Sequence, residues 1–124
     1  MKEWDQRIAL AELHGFKDFE ENVLLFGTYC NEKNKCWTSQ QVPDYLSSLD
    51  SIYSLRRRLN LDDKSNLEKR VRYINLLRTI VGRRMPKNKM GSPLTTDVDL
   101  LLAEPWEHSE AILKTFDKWV KEEV

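Results

Sequence analysis

Residues 22–38, NVLLFGTYCNEKNKCWT, decide the fold class of this chain. The run that ends at Cys30 is rich in β-branched, aromatic and leucine side chains, and residues 36–38 form a second, shorter β-prone run. The polar residues 31–35 between them are typical of a turn, and Gly27 is typical of a β-bulge. The stretch therefore predicts an antiparallel β-hairpin.

Helical patterns lie on both sides of this hairpin. Before it, Trp4, Ile8 and Ala11 recur at helical spacing, and Gly15 suits the left-handed residue that ends many helices. After it, residues 47–50, SSLD, match a capping box that would start a second helix. That helix is expected to end near residue 60.

A longer helix is predicted from about Asn66 to Gly82. Its expected buried stripe consists of Leu67, Val71, Ile74, Leu77 and Val81. Residues 85–96 are predicted to form a loop, and residues 96–103 a brief helix.

The final helix is predicted to begin at Pro105, because proline suits a first helical turn. Its expected buried face consists of Ile112, Leu113, Phe116, Trp119 and Val120. Residues 1–124 are thus predicted to form one α+β domain, rich in helix, with a small antiparallel β-hairpin.

The chain has 20 basic and 20 acidic side chains and no net charge, but the charges are segregated. Residues 1–52 hold 5 basic and 9 acidic side chains (net −4), residues 53–90 hold 12 and 3 (net +9), and residues 91–124 hold 3 and 8 (net −5). Such a basic segment predicts a charged partner. The candidate partner-binding residues are Trp37, as an exposed aromatic anchor, and nine cations: Arg56, Arg57, Arg58, Lys69, Arg72, Arg83, Arg84, Lys87 and Lys89.

Three roles are open for the basic segment. It could dock on an acidic protein, since complementary charge speeds and orients association. Residues 56–89 could instead bind nucleic-acid phosphates, with an affinity that falls steeply as salt rises. In the third role the cations complement helix ends and pair with acids of the final helix, so that the charges cancel within the domain.

Three states are also open for Cys30 and Cys36, which flank the predicted turn. A cytoplasmic chain favours free thiols. A disulfide is open because the two residues could face one another across the hairpin. A zinc site with His14 and His108 is the third state, but the cysteine spacing differs from that of zinc fingers and ribbons. We therefore expect no metal and no cofactor.

The sequence has no motif of a known enzyme class. It lacks a glycine-rich phosphate loop, a Gly-x-Ser-x-Gly elbow and a His-Glu-x-x-His pair. Glu107 and Glu110 belong to the start of the final helix, where acids complement the helix dipole. We therefore expect binding and no catalysis. The first residues lack the apolar core of a signal peptide, and no apolar run would span a membrane, so we expect a cytoplasmic protein.

Residues 43–55, PDYLSSLDSIYSL, resemble a hallmark of the phage ABA sandwich domain family of small phage proteins. Residues 15–16, Trp37 and residues 103–119 are similar to further motifs of that family, although Glu104 stands where the family usually has a capping threonine. The resemblance implies a phage or prophage origin and a fold, and it carries no chemistry. It implies an accessory protein that binds a host or phage protein in a bacterial cell, for example as an inhibitor of a host defence complex.

Overall fold

The computed structural model describes residues 1–21, 23–62, 64–83 and 103–121. These residues form an α+β fold, as predicted. Its elements in chain order are α1 (Glu3–His14), β1 (Phe16–Glu21), β2 (Leu25–Cys30), β3 (Cys36–Gln41), α2 (Leu49–Arg58), α3 (Leu67–Gly82) and α4 (Pro105–Thr115), with a 3-10 turn at Lys64–Asn66. The loop and the brief helix predicted over residues 85–103 fall almost wholly outside the described residues. None of the described helices is long and apolar enough to cross a membrane.

The sheet is an antiparallel meander in the order β1-β2-β3. Its β2–β3 half is the predicted hairpin, but β1 was not predicted. The sequence of β1, FKDFEE, is mostly charged, because four of its six residues are exposed. Charged side chains on exposed strand positions remove the apolar alternation by which strands are recognised.

Gly27 lies between two β-bulges, which confirms its expected role. The β1–β2 register shifts between Lys17 and Glu20, and the β2–β3 register shifts between Gly27 and Tyr29. A Cβ atom at Gly27 would lie 3.2 Å from the Phe19 ring and 3.1 Å from the carbonyl oxygen of Lys17. Glycine at position 27 therefore lets the bulged part of β1 lie close to β2.

Left-handed residues end three of the helices. Gly15 follows α1 with φ 114°, as predicted, whereas Asn60 and Asp117 both have φ 57°. Beyond Asn60 and Asp117, backbone N–H groups bond back to carbonyls of the last turn, which stops α2 and α4. The final helix therefore ends at Thr115, and Val120, expected on its buried face, is 65% exposed.

The core lies between α3, α4, α1 and one side of α2. The predicted α3 stripe is wrong at two of its five residues, because Leu67 and Val71 are 60% and 48% exposed, whereas Leu77 and Val81 are buried. The buried face is rotated around the helix and includes Tyr73, whose hydroxyl contacts the His108 ring on α4. A polar hydroxyl kept Tyr73 out of the predicted stripe, but His108 supplies its hydrogen-bond partner inside the core.

Cys30 and Cys36 form a disulfide, so the preference for free thiols is wrong. The two residues are directly paired across β2 and β3, with Cα atoms 4.1 Å apart. The side chain of Asn31 organises the enclosed turn by accepting the N–H groups of Lys33 and Lys35. Within the described ranges no group of three or more potential ligands could hold a metal ion, and both histidines bond to tyrosines instead.

Candidate functional site

The basic segment separates into two groups of cations with different surroundings. On α3, Arg72 donates to Asp117 Oδ1 at 2.8 Å, Arg83 donates to Glu110 Oε2 at 2.9 Å, and Lys69 lies 3.4 Å from the carbonyl oxygen of Thr115. We call this region the α3–α4 interface; its polar residues are Lys69, Arg72, Arg83, Glu110, Lys114 and Asp117. Here the acidic final helix packs on the basic one, so these charges are matched inside the domain.

Arg56, on α2, is also bound to its own chain. Its guanidinium forms an ion pair with Asp62 and lies 5.5 Å from the ring centroids of both Tyr53 and Tyr73. Arg84, Lys87 and Lys89 lie outside the described residues. Two of the nine predicted cations, Arg57 and Arg58, remain for the second group and are described next.

Arg57 and Arg58 lie beside the hairpin. Arg58 donates to the carbonyl oxygen of Cys30 at 3.2 Å and lies 3.4 Å from the Tyr29 hydroxyl. The Tyr29 ring stacks on Trp37 with centroids 6.1 Å apart, and Trp37 is 40% exposed. The structure therefore brings the predicted aromatic anchor and two predicted arginines onto one surface.

We call this surface the hairpin face. Its residues are Tyr29, Lys33, Lys35, Trp37, Arg57 and Arg58. The Lys35 ammonium lies 5.3 Å from the centroid of the Trp37 ring, which places a third cation beside the anchor. Gly15 lets Arg58 and the Cys30 carbonyl oxygen lie close to the end of α1, because a Cβ atom at Gly15 would lie 2.4 Å from that oxygen and 3.0 Å from an Arg58 nitrogen.

The edge strand β3 borders this face and is open. All six of its residues, Cys36–Gln41, are exposed, and β2 is its one strand neighbour among the described residues. It contains no charged residue and no proline, the side chains by which many proteins block edge-strand pairing. The strand therefore presents an outer edge beside Trp37, on which the Gln40 side-chain amide donates to the carbonyl oxygen of Thr38 at 3.0 Å.

A pocket of about 420 Å³ opens within the hairpin face. We call it the arginine pocket; its walls include Lys33, Arg57, Arg58, Tyr29, Ser54 and His14. His14 is buried, with Nδ1 2.8 Å from the Tyr45 hydroxyl and Nε2 3.3 Å from Ser54 Oγ. Burial and the charge of Arg58 lower the pKa of His14 to about 4, so its ring is neutral at pH 7.

His108 forms a second, enclosed pair with Tyr73 at the α3–α4 interface. Burial, together with the charge of Arg56, lowers the pKa of His108 to about 4. Burial also raises the pKa of both partner tyrosines, Tyr45 and Tyr73, so each keeps its hydroxyl proton. The sequence contained no local signal for either pair, because the partners are 31 and 35 residues apart.

A cleft of about 560 Å³ lies elsewhere and is lined by Trp4, Trp106 and Trp119. The Arg7 guanidinium lies 5.3 Å from the Trp4 ring centroid, and the Lys114 ammonium lies 5.3 Å from the Trp119 ring centroid. The walls of the cleft also carry Glu3, Asp44 and Glu110 beside Arg7, so the cleft offers less to an acidic ligand than the hairpin face does.

The carboxylates of α4 have structural partners. The Glu107 side chain accepts the backbone N–H of Glu104 at 2.8 Å in a capping box. Glu110 accepts both Arg83 and Lys114, at 2.9 and 3.0 Å. Within the part of the chain that the structure describes, neither belongs to a group of three or more potential metal ligands.

Comparison with models of protein families, with curated proteins and with solved structures finds no match for this chain. The resemblance to the phage ABA sandwich domain family therefore remains a prediction. What the chain does has to be inferred from the geometry of the hairpin face.

Proposed function

We propose that this chain acts by binding an acidic partner protein through the hairpin face. The observation that carries the proposal is the meeting of an open edge strand, an exposed tryptophan and unmatched cations on one surface. An exposed strand edge can add a strand of a partner by backbone hydrogen bonds. Tryptophan and arginine are the side chains that most often dominate binding energy at interfaces.

The charge of the face indicates the chemistry of the partner. Within the described residues, Arg57 and Lys33 have no ion pair, whereas Arg72 and Arg83 have theirs at the α3–α4 interface. Cations without intramolecular counter-charges favour an acidic surface, and they speed its association. Trp37 then supplies apolar contact beside them.

The origin and the biological role form a finer part of the proposal. The motifs over residues 43–55 support a small phage or prophage accessory protein whose partner is a host or phage protein. Inhibition of a host defence complex is one such role, in the cytoplasm of the bacterial host cell. The Cys30–Cys36 disulfide tests that location, since disulfides are rare in reducing compartments. Alkylation of thiols in intact cells measures the state of both cysteines there: a reduced pair supports a cytoplasmic location, and an oxidised pair contradicts it.

The experiment is capture from bacterial lysate, infected and uninfected, with matched variants. Trp37→Ala and Arg57→Glu should each abolish capture of the partner, and added salt should weaken capture by the unaltered chain. Lys118→Glu is the control, because it makes the same charge change at an exposed residue beyond α4. Equal capture by all three variants would overturn the proposal.

The nucleic-acid alternative is decided by a direct titration. Of residues 56–89, Lys69, Arg72 and Arg83 contact α4 or the segment after it, and Arg56 contacts Asp62. Fewer cations are therefore left for phosphates than the segment's composition implies. Strong, salt-dependent binding of duplex or single-stranded DNA at two salt concentrations would favour this alternative and contradict a protein partner.

A further inference from the structure

We propose that the arginine pocket binds a phosphate group, supplied by a phosphorylated side chain or by a small phosphate ester. This inference rests on the proposed function where the phosphate belongs to the partner protein. Its evidence shares Arg57 and Lys33 with that proposal, but it adds the other walls of the pocket and does not involve Trp37 or β3.

The first observation is the charge of the walls. Lys33, Arg57 and Arg58 line the pocket, and Glu32 is the one acidic side chain among the described residues that line it. Arg58 is held in place by the Cys30 carbonyl oxygen, so its guanidinium is already oriented. An oriented arginine with further cations around it is the usual recognition unit for a phosphate, which offers three strong acceptor oxygens.

The second observation is the direction of the two hydrogen bonds that link Tyr45 to His14 and His14 to Ser54. The Tyr45 side chain is fully buried, and among the described residues His14 Nδ1 is the acceptor that its hydroxyl reaches. If Nδ1 carried the proton, the hydroxyl hydrogen of Tyr45 would be buried without an acceptor, which is costly. The hydrogen-bond network therefore assigns Tyr45 O–H as donor to Nδ1, with the His14 proton on Nε2.

That assignment fixes the role of Ser54. The Nε2–H group of His14 donates to Ser54 Oγ across 3.3 Å, so the Ser54 hydroxyl hydrogen does not point at the ring. Within the described residues this hydrogen has no acceptor, and Ser54 lines the pocket. A phosphate oxygen in the pocket can accept this hydrogen in place of water, and the neighbouring cations favour an anionic acceptor.

The size and position of the pocket fit a phosphate that is attached to something larger. A volume of about 420 Å³ exceeds what one phosphate group fills, and the pocket is open at the surface beside the turn of residues 31–35. Asn31 holds that turn through two backbone N–H groups, at 3.0 and 2.9 Å, and so keeps Lys33 at the rim. The remainder of a phosphorylated chain can leave across the hairpin face.

The test is an NMR titration of the isotope-labelled, disulfide-bonded protein with inorganic phosphate, phosphoserine and a phosphoserine-containing peptide. Saturable shifts should be confined to residues around the pocket, among them Ser54 and Arg57. Serine and the unphosphorylated peptide should cause none. Tighter binding of the phosphopeptide than of inorganic phosphate assigns the phosphate to a protein side chain, and equal binding assigns it to a small ester.

Single-residue variants test whether the pocket residues bind the phosphate. Arg57→Ala removes an exposed side chain that is not part of the fold's ion pairs, and it should weaken phosphate binding about tenfold. Ser54→Ala should weaken it by a smaller factor, and Arg72→Ala, the control, should leave it unchanged. Shifts spread over all cations, or unchanged affinity in Arg57→Ala, would overturn the phosphate site. Trp37→Ala should leave phosphate binding intact while it abolishes partner capture, so failure of this site and failure of the proposed function are distinguishable.

Discussion

The hairpin face and the α3–α4 interface are built from the same kinds of residues, yet they use them differently. Each lies beside a buried histidine–tyrosine pair, and each contains at least two cations of the basic segment, which are Arg57 and Arg58 at the hairpin face. At the α3–α4 interface the chain supplies the counter-charges itself, through Glu110 and Asp117. At the hairpin face Lys33, Arg57 and Arg58 have no counter-charge within an ion pair of the described residues, although Arg58 donates to the carbonyl oxygen of Cys30. The difference teaches that segregated charge along a sequence locates a function only where the fold leaves that charge unmatched.

The largest expected effect concerns what the two regions share, their neutral histidines. The folded pKa of both His14 and His108 is about 4, against 6.5 for an unperturbed histidine. Above pH 6.5 the histidines are neutral in the folded and the unfolded chain, and their contribution to stability is complete. As pH falls towards 4 the unfolded chain binds protons that the folded chain excludes, so stability is lost, on the order of 3 kcal/mol per histidine.

Urea unfolding between pH 7.5 and pH 4 measures this loss, and single variants divide it between the two regions. His14→Gln and His108→Gln should each lower the pH dependence of the unfolding free energy by about half, whatever each costs at neutral pH. If a variant kept the full pH dependence of the unfolding free energy, its histidine would bind protons equally in the folded and the unfolded chain. That result would contradict the burial of both histidine–tyrosine pairs.

The next largest effect separates the two regions. Glu110 is 8% exposed and accepts Arg83 and Lys114. Removing both cations, with Arg83→Ala and Lys114→Ala together, leaves a nearly buried carboxylate without a partner and should cost about 2–3 kcal/mol. The matched pair at the hairpin face, Lys33→Ala with Arg57→Ala, should cost less than about 0.5 kcal/mol.

Urea denaturation of both double variants tests that contrast. Glu110→Gln added to the first double variant should restore part of the lost stability, because the uncompensated charge is then gone. Equal losses in the two double variants would mean that the hairpin cations have structural partners after all.

The disulfide is a third difference, because it belongs to the hairpin alone. It closes a short loop from Cys30 to Cys36, with a sequence separation of 6. Loop-closure entropy for so short a loop predicts that Cys30→Ala with Cys36→Ala costs about 2 kcal/mol. Reductant should lower the unfolding free energy of the disulfide-bonded chain by the same amount. It should have no effect on the double variant, which serves as the control. An unchanged midpoint on reduction would contradict the bond's contribution.

Local features of the fold could be predicted from the sequence, whereas pairings between distant segments could not. Gly15 and Pro105 mark helix ends through their own backbone geometry, so both predictions are confirmed. The charged strand β1 was missed, because its identity depends on pairing with β2. The rotation of α3 was missed for the same reason, since His108 on α4 is what makes burial of Tyr73 favourable.

The site shows the same limit. Trp37, Arg57 and Arg58 were among the predicted residues, but composition treated all nine cations alike. Which cations stay unmatched depends on where α4 lies. Ser54 was not predicted as part of a site, and His14 was considered only as a zinc ligand, because the two residues are 40 positions apart and meet only in the folded chain.

The smallest effect gives the sharpest comparison of the two regions, between Arg72 and Arg57. Arg72 bonds to Asp117, but their side chains are 46% and 73% exposed, so the pair is screened by water. Arg72→Ala should therefore change the unfolding free energy by no more than about 0.5 kcal/mol, as should Arg57→Ala. The two variants differ once phosphate is added. A ligand that binds the folded state raises its stability, so phosphate should raise the unfolding midpoint of Arg72→Ala as it does that of the unaltered chain, and raise that of Arg57→Ala much less. If phosphate stabilised both variants equally, Arg57 would not belong to a phosphate site. The two regions would then differ in their packing and not in ligand binding.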